Sequence, residues 1–401
     1  MKERMIDQIM NKDIKIKGID FKVVDFAFIG CLFIFAFVIR MNLFPIESAD
    51  YYGFLQKWMF EIRENGGFWS LGMEISNYTS PYMYIMTILS YISTNDLYAL
   101  KLVSVLFEYI GAIAIFLIVY EITKSKRRAI LGMAALLLSP TVILDGAYWC
   151  QCDMIYTCFL LYSFYYFLKD NSNKSMIFFA ISFAFKLQSL FLLPFYMIMW
   201  LKRKTILLRH LLWVPVIYVA SAVPAWIAGR DLKNVLSVYF SQSGYYPWGT
   251  LQYPNIYALI GEAMPDMRHA EEVSGAGLYM TVILLGCIAY YFYTKNVMLT
   301  EDVMVTLALF TVAITVYSLP HMHDRYGFFI DLLAIVYSMY KGKRLPVACG
   351  FILVSLLTFM PYLIGVTIVP IQYLAIGQLA LIVYVGCDLY KQVSEYTLTI
   401  Q

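Results

Sequence analysis

The stretch VVDFAFIGCLFIFAFVI at residues 23–39 carries a single charged side chain, Asp25. A helix needs roughly 20 mostly apolar residues to cross the hydrocarbon core of a bilayer. Similar stretches recur along the chain, most clearly at residues 97–122. The pattern therefore predicts an all-α protein, a polytopic membrane bundle.

The composition of the whole chain supports the same class of protein. Of the 401 residues, 61% are hydrophobic and 14% are charged, and the mean hydropathy is +0.67. These values lie far from those of an ordinary water-soluble domain. The net charge of +3 is small and spread along the chain, so it gives no electrostatic footprint for nucleic acid. We predict membrane lipids, and no nucleic acid, among the partners.

Twelve apolar segments are predicted as spans of one integral-membrane domain over residues 1–401. They are residues 23–39, 97–122, 129–144, 154–168, 176–185, 189–201, 211–228, 276–293, 303–319, 326–340, 345–360 and 371–385. The domain divides into a cytoplasmic N-terminus (1–22), a first outer loop (41–96), core helices (97–228), a second large outer loop (229–275) and C-terminal helices (276–401).

Basic residues set the predicted orientation. The clusters KSKRR (124–128), KRK (202–204) and KGKR (341–344) share one side of the bundle with the N-terminus. Such clusters are enriched on the cytoplasmic side of membranes. We predict a protein of the bacterial cytoplasmic membrane with its N-terminus inside. Because the cytoplasmic loops are short, the active site is predicted on the outer face.

The predicted first outer loop contains two elements that lie along the membrane. Residues 51–64 are amphipathic, and residues 81–93 (PYMYIMTILSYIS) are apolar but too few to span. The length of the second element suits an interfacial or re-entrant helix.

The seven cysteines are odd in number and lie mostly in apolar runs, which argues against a disulfide framework. Cys150 and Cys152 form a Cys-x-Cys pair, but no further Cys or His stands at ligand spacing. We therefore predict neither a metal site nor a cofactor.

Acidic residues follow the first span in PIESADYYGFLQKW (45–58). Asp50 is predicted to act as a general base, because a carboxylate at the lip of the membrane is partly desolvated. Glu47 is predicted to contact the sugar or the acceptor. The alternative for Asp50 is an N-cap of the helix that begins at Tyr51, since Asp is a favoured cap. The sequence leaves both open.

A second polar cluster, DGAYWCQCD (145–153), joins two predicted spans. Trp149 is able to stack on a sugar face, and Gln151 and Asp153 are able to hydrogen-bond sugar hydroxyls. Trp149 equally suits an aromatic belt at the membrane interface, and Asp153 equally suits an N-cap. The residue types do not decide between these interpretations.

Cationic side chains stand in FKLQ (185–188) and PHMHDRYG (320–327). Lys186 either snorkels to the interface or binds phosphate. His321, His323 and Arg325 are predicted to bind phosphate, because guanidinium and imidazolium donate to phosphate oxygens. The alternatives for this loop are a zinc site, which lacks further ligands at suitable spacing, and a purely structural role.

The predicted outer face carries a base, several cations and aromatic groups. This combination suits the transfer of a sugar from a lipid phosphate. The base would remove the acceptor proton, and the cations would stabilise the leaving phosphate. The sequence has no Gly-rich phosphate loop and no soluble domain for a nucleotide sugar.

Four stretches together resemble the GT-C superfamily of integral-membrane glycosyltransferases, which use polyprenyl-phosphate-linked sugars. They are SADYYGFLQKW (48–58), YWCQCDMIY (148–156), FAFKLQSLFLLPF (183–195) and PHMHDRYG (320–327). The resemblance covers roughly residues 20 to 340 and is to bacterial proteins related to the mannosyltransferases of GPI-anchor assembly. It extends to the dolichyl-phosphate-glucose-dependent glucosyltransferases of N-glycan assembly.

The resemblance implies a role for each matching residue. Asp50 matches the catalytic acid of the first outer loop, and Gln151 with Asp153 matches the loop near the donor. The positions that match the surroundings of the donor phosphate are Lys186, Gln188, His321, His323 and Arg325. The sequence departs from the family at Cys150, where the pattern has Gly, and at Asp324 with Arg325, where the glucosyltransferases tend to have Glu and Lys.

The sequence thus predicts an inverting hexosyltransferase that moves a hexose from a polyprenyl-phosphate carrier to an acceptor hydroxyl. The carrier is predicted to be undecaprenyl phosphate in a bacterium and dolichyl phosphate otherwise, and the acceptor a lipid-linked or cell-envelope glycan. The alternative is a polytopic transporter or a flippase for lipid-linked sugars, which also needs many spans and buried charges.

Overall fold

A computed structural model describes residues 10–16, 18–203, 208–242, 248–259 and 267–397. Residues 1–9 and 17 of the predicted N-terminus, Lys204 of the predicted basic cluster KRK, and residues 243–247 and 260–266 of the predicted second outer loop lie outside the described residues. The protein is mostly helical, at 79%, which confirms the helical class.

Apolar periodicity and capping residues divide the described chain into eighteen α-helices. They are α1 (Val23–Leu43), α2 (Gln56–Glu64), α3 (Ser80–Ile92), α4 (Asp96–Thr123), α5 (Lys126–Leu137), α6 (Pro140–Ile143), α7 (Asp153–Leu168), α8 (Ser172–Phe185), α9 (Leu193–Arg203), α10 (Leu208–Leu211), α11 (Trp213–Ile227), α12 (Leu232–Leu236), α13 (Val238–Gln242), α14 (Met267–Thr294), α15 (Glu301–Ser318), α16 (Phe328–Tyr340), α17 (Leu345–Ile364) and α18 (Ile371–Glu395).

Two small sheets accompany the helices in the described ranges. Strands β1 (Asp13–Ile16) and β2 (Ile19–Lys22) pair antiparallel just before α1. Strands β3 (Thr250–Leu251) and β4 (Met322–His323) pair in parallel, with Leu251 opposite His323. The second pair matters for the site because it holds the predicted phosphate-binding loop.

Seven helices in the described part of the chain are long and apolar enough to cross a membrane. An eighth segment, Lys126–Leu137 with Pro140–Tyr148, passes the same test but bends by 45°. The expectation of twelve spans is therefore not confirmed. The predicted spans at 154–168, 176–185 and 189–201 correspond to α7, α8 and α9, of 16, 14 and 11 residues. At 1.5 Å per residue even α7 reaches only about 24 Å, short of a hydrocarbon core of roughly 30 Å.

The predicted span at 326–340 is likewise a shorter apolar helix, α16. It is buried along most of its length, as is α15 beside it. In contrast, few residues of α1, α11 and α14 are buried. Helices α7, α15 and α16 therefore form much of the interior of the bundle, whereas α1, α11 and α14 lie on its apolar outside.

The three basic loops meet at one end of the bundle. Lys126 forms an ion pair with Asp25 at the start of α1, and Arg128 donates to the carbonyl of Tyr340. Arg203 donates to the carbonyl of Leu299. At the same end, the buried Arg344 pairs with two carboxylates, Asp302 and Asp388. The shared location agrees with the grouping that the sequence predicts.

The start of α4 lies at the other end and fixes the chain that leaves α1. Lys101 on α4 donates from Nζ to three carbonyl oxygens, those of Leu43, Phe44 and Ile46, at 2.6–3.1 Å. Carbonyls at a helix C-terminus lack partners within the helix, and a lysine satisfies them well. This contact holds the segment that leads to Asp50.

A buried ion pair ties α1 to α4 between these two ends. Arg40 donates from Nε to the carboxylate of Glu108, and both side chains are fully buried. Gly146 packs directly on this carboxylate, where a Cβ would collide with Oε1 of Glu108. Glu108, whose partner is not evident in the sequence, is thus part of a structural pair.

Candidate functional site

A cavity of about 1250 Å³ opens at the end of the bundle away from the basic loops. Its walls come from the first outer loop, the loop after α6, the start of the segment after α8, the region around α12 and α13, β3 and β4, and the end of α17. Seven of the ten predicted site residues line it: Asp50, Trp149, Gln151, Lys186, Gln188, His323 and Arg325.

Asp50 is held by three donors from distant parts of the chain. Trp149 Nε1 and Gln151 Nε2 donate to Oδ2 at 2.9 and 2.5 Å, and the hydroxyl of Tyr362 donates to Oδ1 at 2.6 Å. The carboxylate makes no capping hydrogen bond to the π-helical turn Tyr51–Leu55 that follows it. The N-cap alternative is therefore wrong, and the carboxylate faces the cavity.

Backbone contacts hold the loop that supplies Trp149 and Gln151. After α6 the chain makes a π-helical turn, Leu144–Tyr148, and the backbone N–H of Gln151 then donates to the carbonyl of Asp145. Ser48 donates to the carbonyl of Trp149, and Ser104 donates to the carbonyl of Gln151, both at 2.6 Å. The loop is thus fastened both to the segment before Asp50 and to α4.

Cys150 in this loop has a φ of +67°, a left-handed conformation that favours glycine. The pattern of the resembling family has Gly at this position, so the departure in residue type leaves the backbone in a glycine-like conformation.

Replacing Cys150 by Gly is therefore expected to be tolerated better than replacing Cys152 by Gly. Both thiols are buried, but Cys152 has an ordinary φ of −112°. The glycine at 150 removes a left-handed strain of about 1–2 kcal/mol. Equilibrium unfolding of both variants in the same detergent checks this, and equal stabilities would contradict it.

Asp153 holds the two cations of the site. Its Oδ1 accepts from Lys186 and its Oδ2 from Arg325, each at 2.5 Å, and it is 1% exposed. Burial alone would raise the pKa of Asp153, but Lys186 and Arg325 lower that pKa to about 2. Both the N-cap interpretation of Asp153 and the snorkelling interpretation of Lys186 are therefore wrong.

Arg325 connects the two halves of the site. Its Nη1 also donates to Oε1 of Gln151 at 2.8 Å, and its guanidinium lies 5.0 Å from the centre of the Trp149 ring. Gln151 thereby bridges Arg325 to Asp50. Lys186 lies 5.7 Å from the ring centres of Tyr78 and Tyr156, a distance suited to cation–π attraction.

Backbone hydrogen bonds to β3 and the residue before it hold the loop that carries Arg325. The backbone N–H of Asp324 donates to the carbonyl of Leu251, and that of His321 donates to the carbonyl of Gly249. Asp324 lies beside Arg325, and burial raises its pKa to about 7, although Arg325 opposes this. This carboxyl therefore adds less than a full negative charge near neutral pH.

The two predicted phosphate-binding histidines are placed differently. His323 lines the cavity, but burial, together with Arg325 and Lys186, lowers its pKa to about 3. It is therefore neutral at pH 7 and not the imidazolium that the sequence suggests. The imidazole of His321 bonds the carbonyl of Trp248 at 2.7 Å and the hydroxyl of Ser274 at 2.5 Å, and it does not line the cavity.

Two other predicted contacts with the sugar or acceptor are also absent from the wall. Glu47 is exposed and does not line the cavity, although it lies three residues before Asp50. Asp153 lies behind the wall, and both of its oxygens are occupied by the cations. The geometry makes Asp153 a positioning residue for Lys186 and Arg325.

The sequence analysis does not single out three polar residues that bear on the chemistry of the cavity. Tyr362 donates to Asp50, Tyr78 lies beside Lys186, and Arg230 lines the same cavity. Tyr362 lies 312 positions from Asp50 and stands within an apolar helix rich in aromatic neighbours, so no local signal marks it. A local feature of the sequence does mark Arg230, because it is a cation that lies just beyond the predicted span at 211–228.

Within the described ranges, no group of three or more His, Cys, Asp or Glu side chains is arranged to hold a metal ion. The cysteines in those ranges are free thiols, and burial raises the pKa of Cys150 to about 12.

Fold and site together define the class as a helical protein with several apolar, membrane-length helices and a large cavity at one end that contains charged side chains. Comparison with known protein families finds no match to this chain. Comparison with curated proteins also finds no match.

Proposed function

We propose that the protein is an inverting glycosyltransferase that moves a hexose from a polyprenyl-phosphate carrier to an acceptor hydroxyl. The observation that carries the proposal is the arrangement of Asp50 in one cavity with Lys186 and Arg325. A carboxylate base and two cations facing the same space suit a reaction that removes one proton and releases one phosphate.

Asp50 would act as the general base. A carboxylate offers about four lone-pair positions, and three are taken by Trp149, Gln151 and Tyr362. The remaining position is left for the acceptor hydroxyl. The three donors fix the direction of the carboxylate, so the base is oriented before the substrate arrives.

Lys186 and Arg325 would hold the phosphate of the donor. As the acceptor oxygen attacks the anomeric carbon, the bond from that carbon to the phosphate oxygen breaks, and the polyprenyl phosphate leaves with the electron pair. The proton of the acceptor hydroxyl passes to Asp50. Asp153 keeps both cations at the wall, and Gln151 couples their position to that of the base.

The remaining parts of the proposal concern the membrane. The short helices α7, α8, α9 and α16 would complete a GT-C-like set of about twelve membrane segments, together with the longer helices. In this arrangement α2 and α3 lie along the outer surface, and the cavity opens on the outer face of a bacterial cytoplasmic membrane. The exposed apolar sides of α1, α11 and α14 are consistent with contact to lipid.

The test is transfer from a panel of radiolabelled polyprenyl-phosphate sugars by purified protein in nanodiscs, with and without EDTA. We expect transfer from one donor with inversion at the anomeric carbon, at the same rate in EDTA. Absence of transfer from every donor, with translocation of a lipid-linked sugar in its place, would overturn the proposal and favour the flippase alternative.

A further inference from the structure

A third cation, Arg230, lines the cavity and has no part in the proposed chemistry. The residue is 9% exposed, and its Nε has no hydrogen-bond partner. It follows Gly229, whose φ is +107°, at the end of α11. Its backbone N–H donates to the carbonyl of Ala225, which fixes the start of the side chain against the helix.

Arg230 differs from the other arginines of low exposure in the described part of the chain. Arg40 pairs with Glu108, Arg325 with Asp153, and Arg344 with Asp302 and Asp388. No carboxylate among the described residues forms an ion pair with Arg230. Buried charges are costly unless they are paired, so the missing counter-charge is expected to arrive with a ligand.

The acid next in sequence to Arg230 and the acid Glu74 of the same cavity do not supply this counter-charge. Asp231 accepts from the backbone N–H groups of Lys233 and Asn234 and caps α12. Glu74 lines the same cavity but is exposed and forms no ion pair with Arg230. The side chains of Asn234 and Ser237 line the same wall and add neutral hydrogen-bonding groups beside the cation.

The size of the cavity leaves room for a second ligand. Sites for a single small molecule usually measure about 300–1,000 Å³, whereas this cavity measures about 1250 Å³. Asp50 belongs to the first outer loop, Lys186 follows α8 and Arg325 follows β4. Arg230 comes from a different element, the turn between α11 and α12.

We propose that Arg230 forms an anion subsite that binds an oxyanion, a phosphate or a carboxylate, carried by the glycan that accepts the sugar. The assignment to the acceptor rests on the proposed function, whereas anion binding at Arg230 does not. A guanidinium suits this role because its planar fork matches the oxygens of both groups.

The experiment measures binding of inorganic phosphate to the full chain in phosphatidylcholine nanodiscs by microscale thermophoresis. The Arg325→Gln variant serves as background, because it weakens the phosphate site of the donor. In this background we expect Arg230→Gln to weaken phosphate binding by about tenfold or more. Arg230→Lys keeps the charge but loses the fork, so it should weaken binding less than Arg230→Gln does. The matched control Lys233→Gln, at an exposed cation nearby, should not change the affinity.

The controls separate the possible results. Arg230→Lys and Arg230→Gln both lose the guanidinium packing, so a difference between them reports the charge and not the fold. Unchanged binding in Arg230→Gln would overturn the proposal. If Arg325→Gln leaves phosphate binding intact while Arg230→Gln removes it, the donor assignment in the proposed function fails and the Arg230 subsite stands.

A second arm distinguishes the acceptor from bulk lipid. Phosphatidylglycerol in the nanodisc lowers the local phosphate concentration for every variant alike. Selective displacement of phosphate by this lipid in Arg325→Gln, but not in Arg230→Gln, would show that the subsite takes a phospholipid headgroup, and would overturn the glycan assignment. Equal effects on the two variants are the expected result.

Discussion

Replacing Asp50 by Asn is expected to reduce sugar transfer by about 10²–10⁴-fold while the protein remains folded. The amide has almost the same shape, but it cannot accept the proton of the acceptor hydroxyl. The amide also replaces one accepting oxygen of Asp50 with an NH₂ group. That group would face a donor, either the side chains of Trp149 and Gln151 or the hydroxyl of Tyr362. Initial rates in nanodiscs at saturating donor measure the effect.

Glu47→Gln is the matched control for this experiment. It makes the same chemical change three residues earlier, at an exposed side chain outside the cavity. The control should transfer at the rate of the wild type. Melting temperatures of both variants report whether folding has changed. An Asp50→Asn protein with the rate of the wild type would remove Asp50 from the role of base.

Breaking the buried ion pair between Arg40 and Glu108 is expected to cost about 3–5 kcal/mol of unfolding free energy. Arg40→Met leaves a buried carboxylate without its cation, and Glu108→Leu leaves a buried guanidinium without its anion. The double variant removes both charges and fills the same space with apolar groups. It is therefore expected to recover most of the stability that each single variant loses.

Equilibrium unfolding of the four proteins in one detergent closes the double-mutant cycle. Lys124→Met is a suitable control, because its ion pair with Glu121 is largely exposed and should contribute less than about 1 kcal/mol. If the losses of the two single variants simply added in the double variant, the pair would not act as a unit. The rate of sugar transfer in these variants should fall only as far as the fraction of folded protein falls, since neither Arg40 nor Glu108 lines the cavity.

Hydropathy predicts long helices well and short buried ones poorly. The segments at 23–39 and 97–122 have helices close to the predicted boundaries, because any apolar run of that length must satisfy its own backbone in lipid. The segments at 176–185 and 189–201 are as apolar, but α8 ends at Phe185, before Lys186. A 3₁₀ turn, Leu187–Leu192, then separates α8 from α9, which begins at Leu193. Apolar composition alone does not separate a buried short helix from a span.

Some residues of the candidate site could be predicted from the sequence and others could not. Asp50, Lys186 and Arg325 could be selected from the sequence because each interrupts or borders an apolar run. Their partners could not be selected, since Trp149 and Tyr362 lie 99 and 312 positions from Asp50. The sequence also could not predict that Asp153 holds the two cations from behind the cavity wall, because residue type does not show which side of a loop faces a cavity.

The position of Trp149 makes its fluorescence a reporter of ligand binding in the cavity. The indole donates to Asp50, stacks on Tyr362 with ring centres 4.5 Å apart and lies beside the guanidinium of Arg325. Indole fluorescence changes when a hydrogen-bond acceptor or a nearby charge moves. A chain in which the other six tryptophans are replaced by phenylalanine would emit from this position alone. Its emission would then follow the arrival of a ligand at the base and the cation before any bond is made or broken.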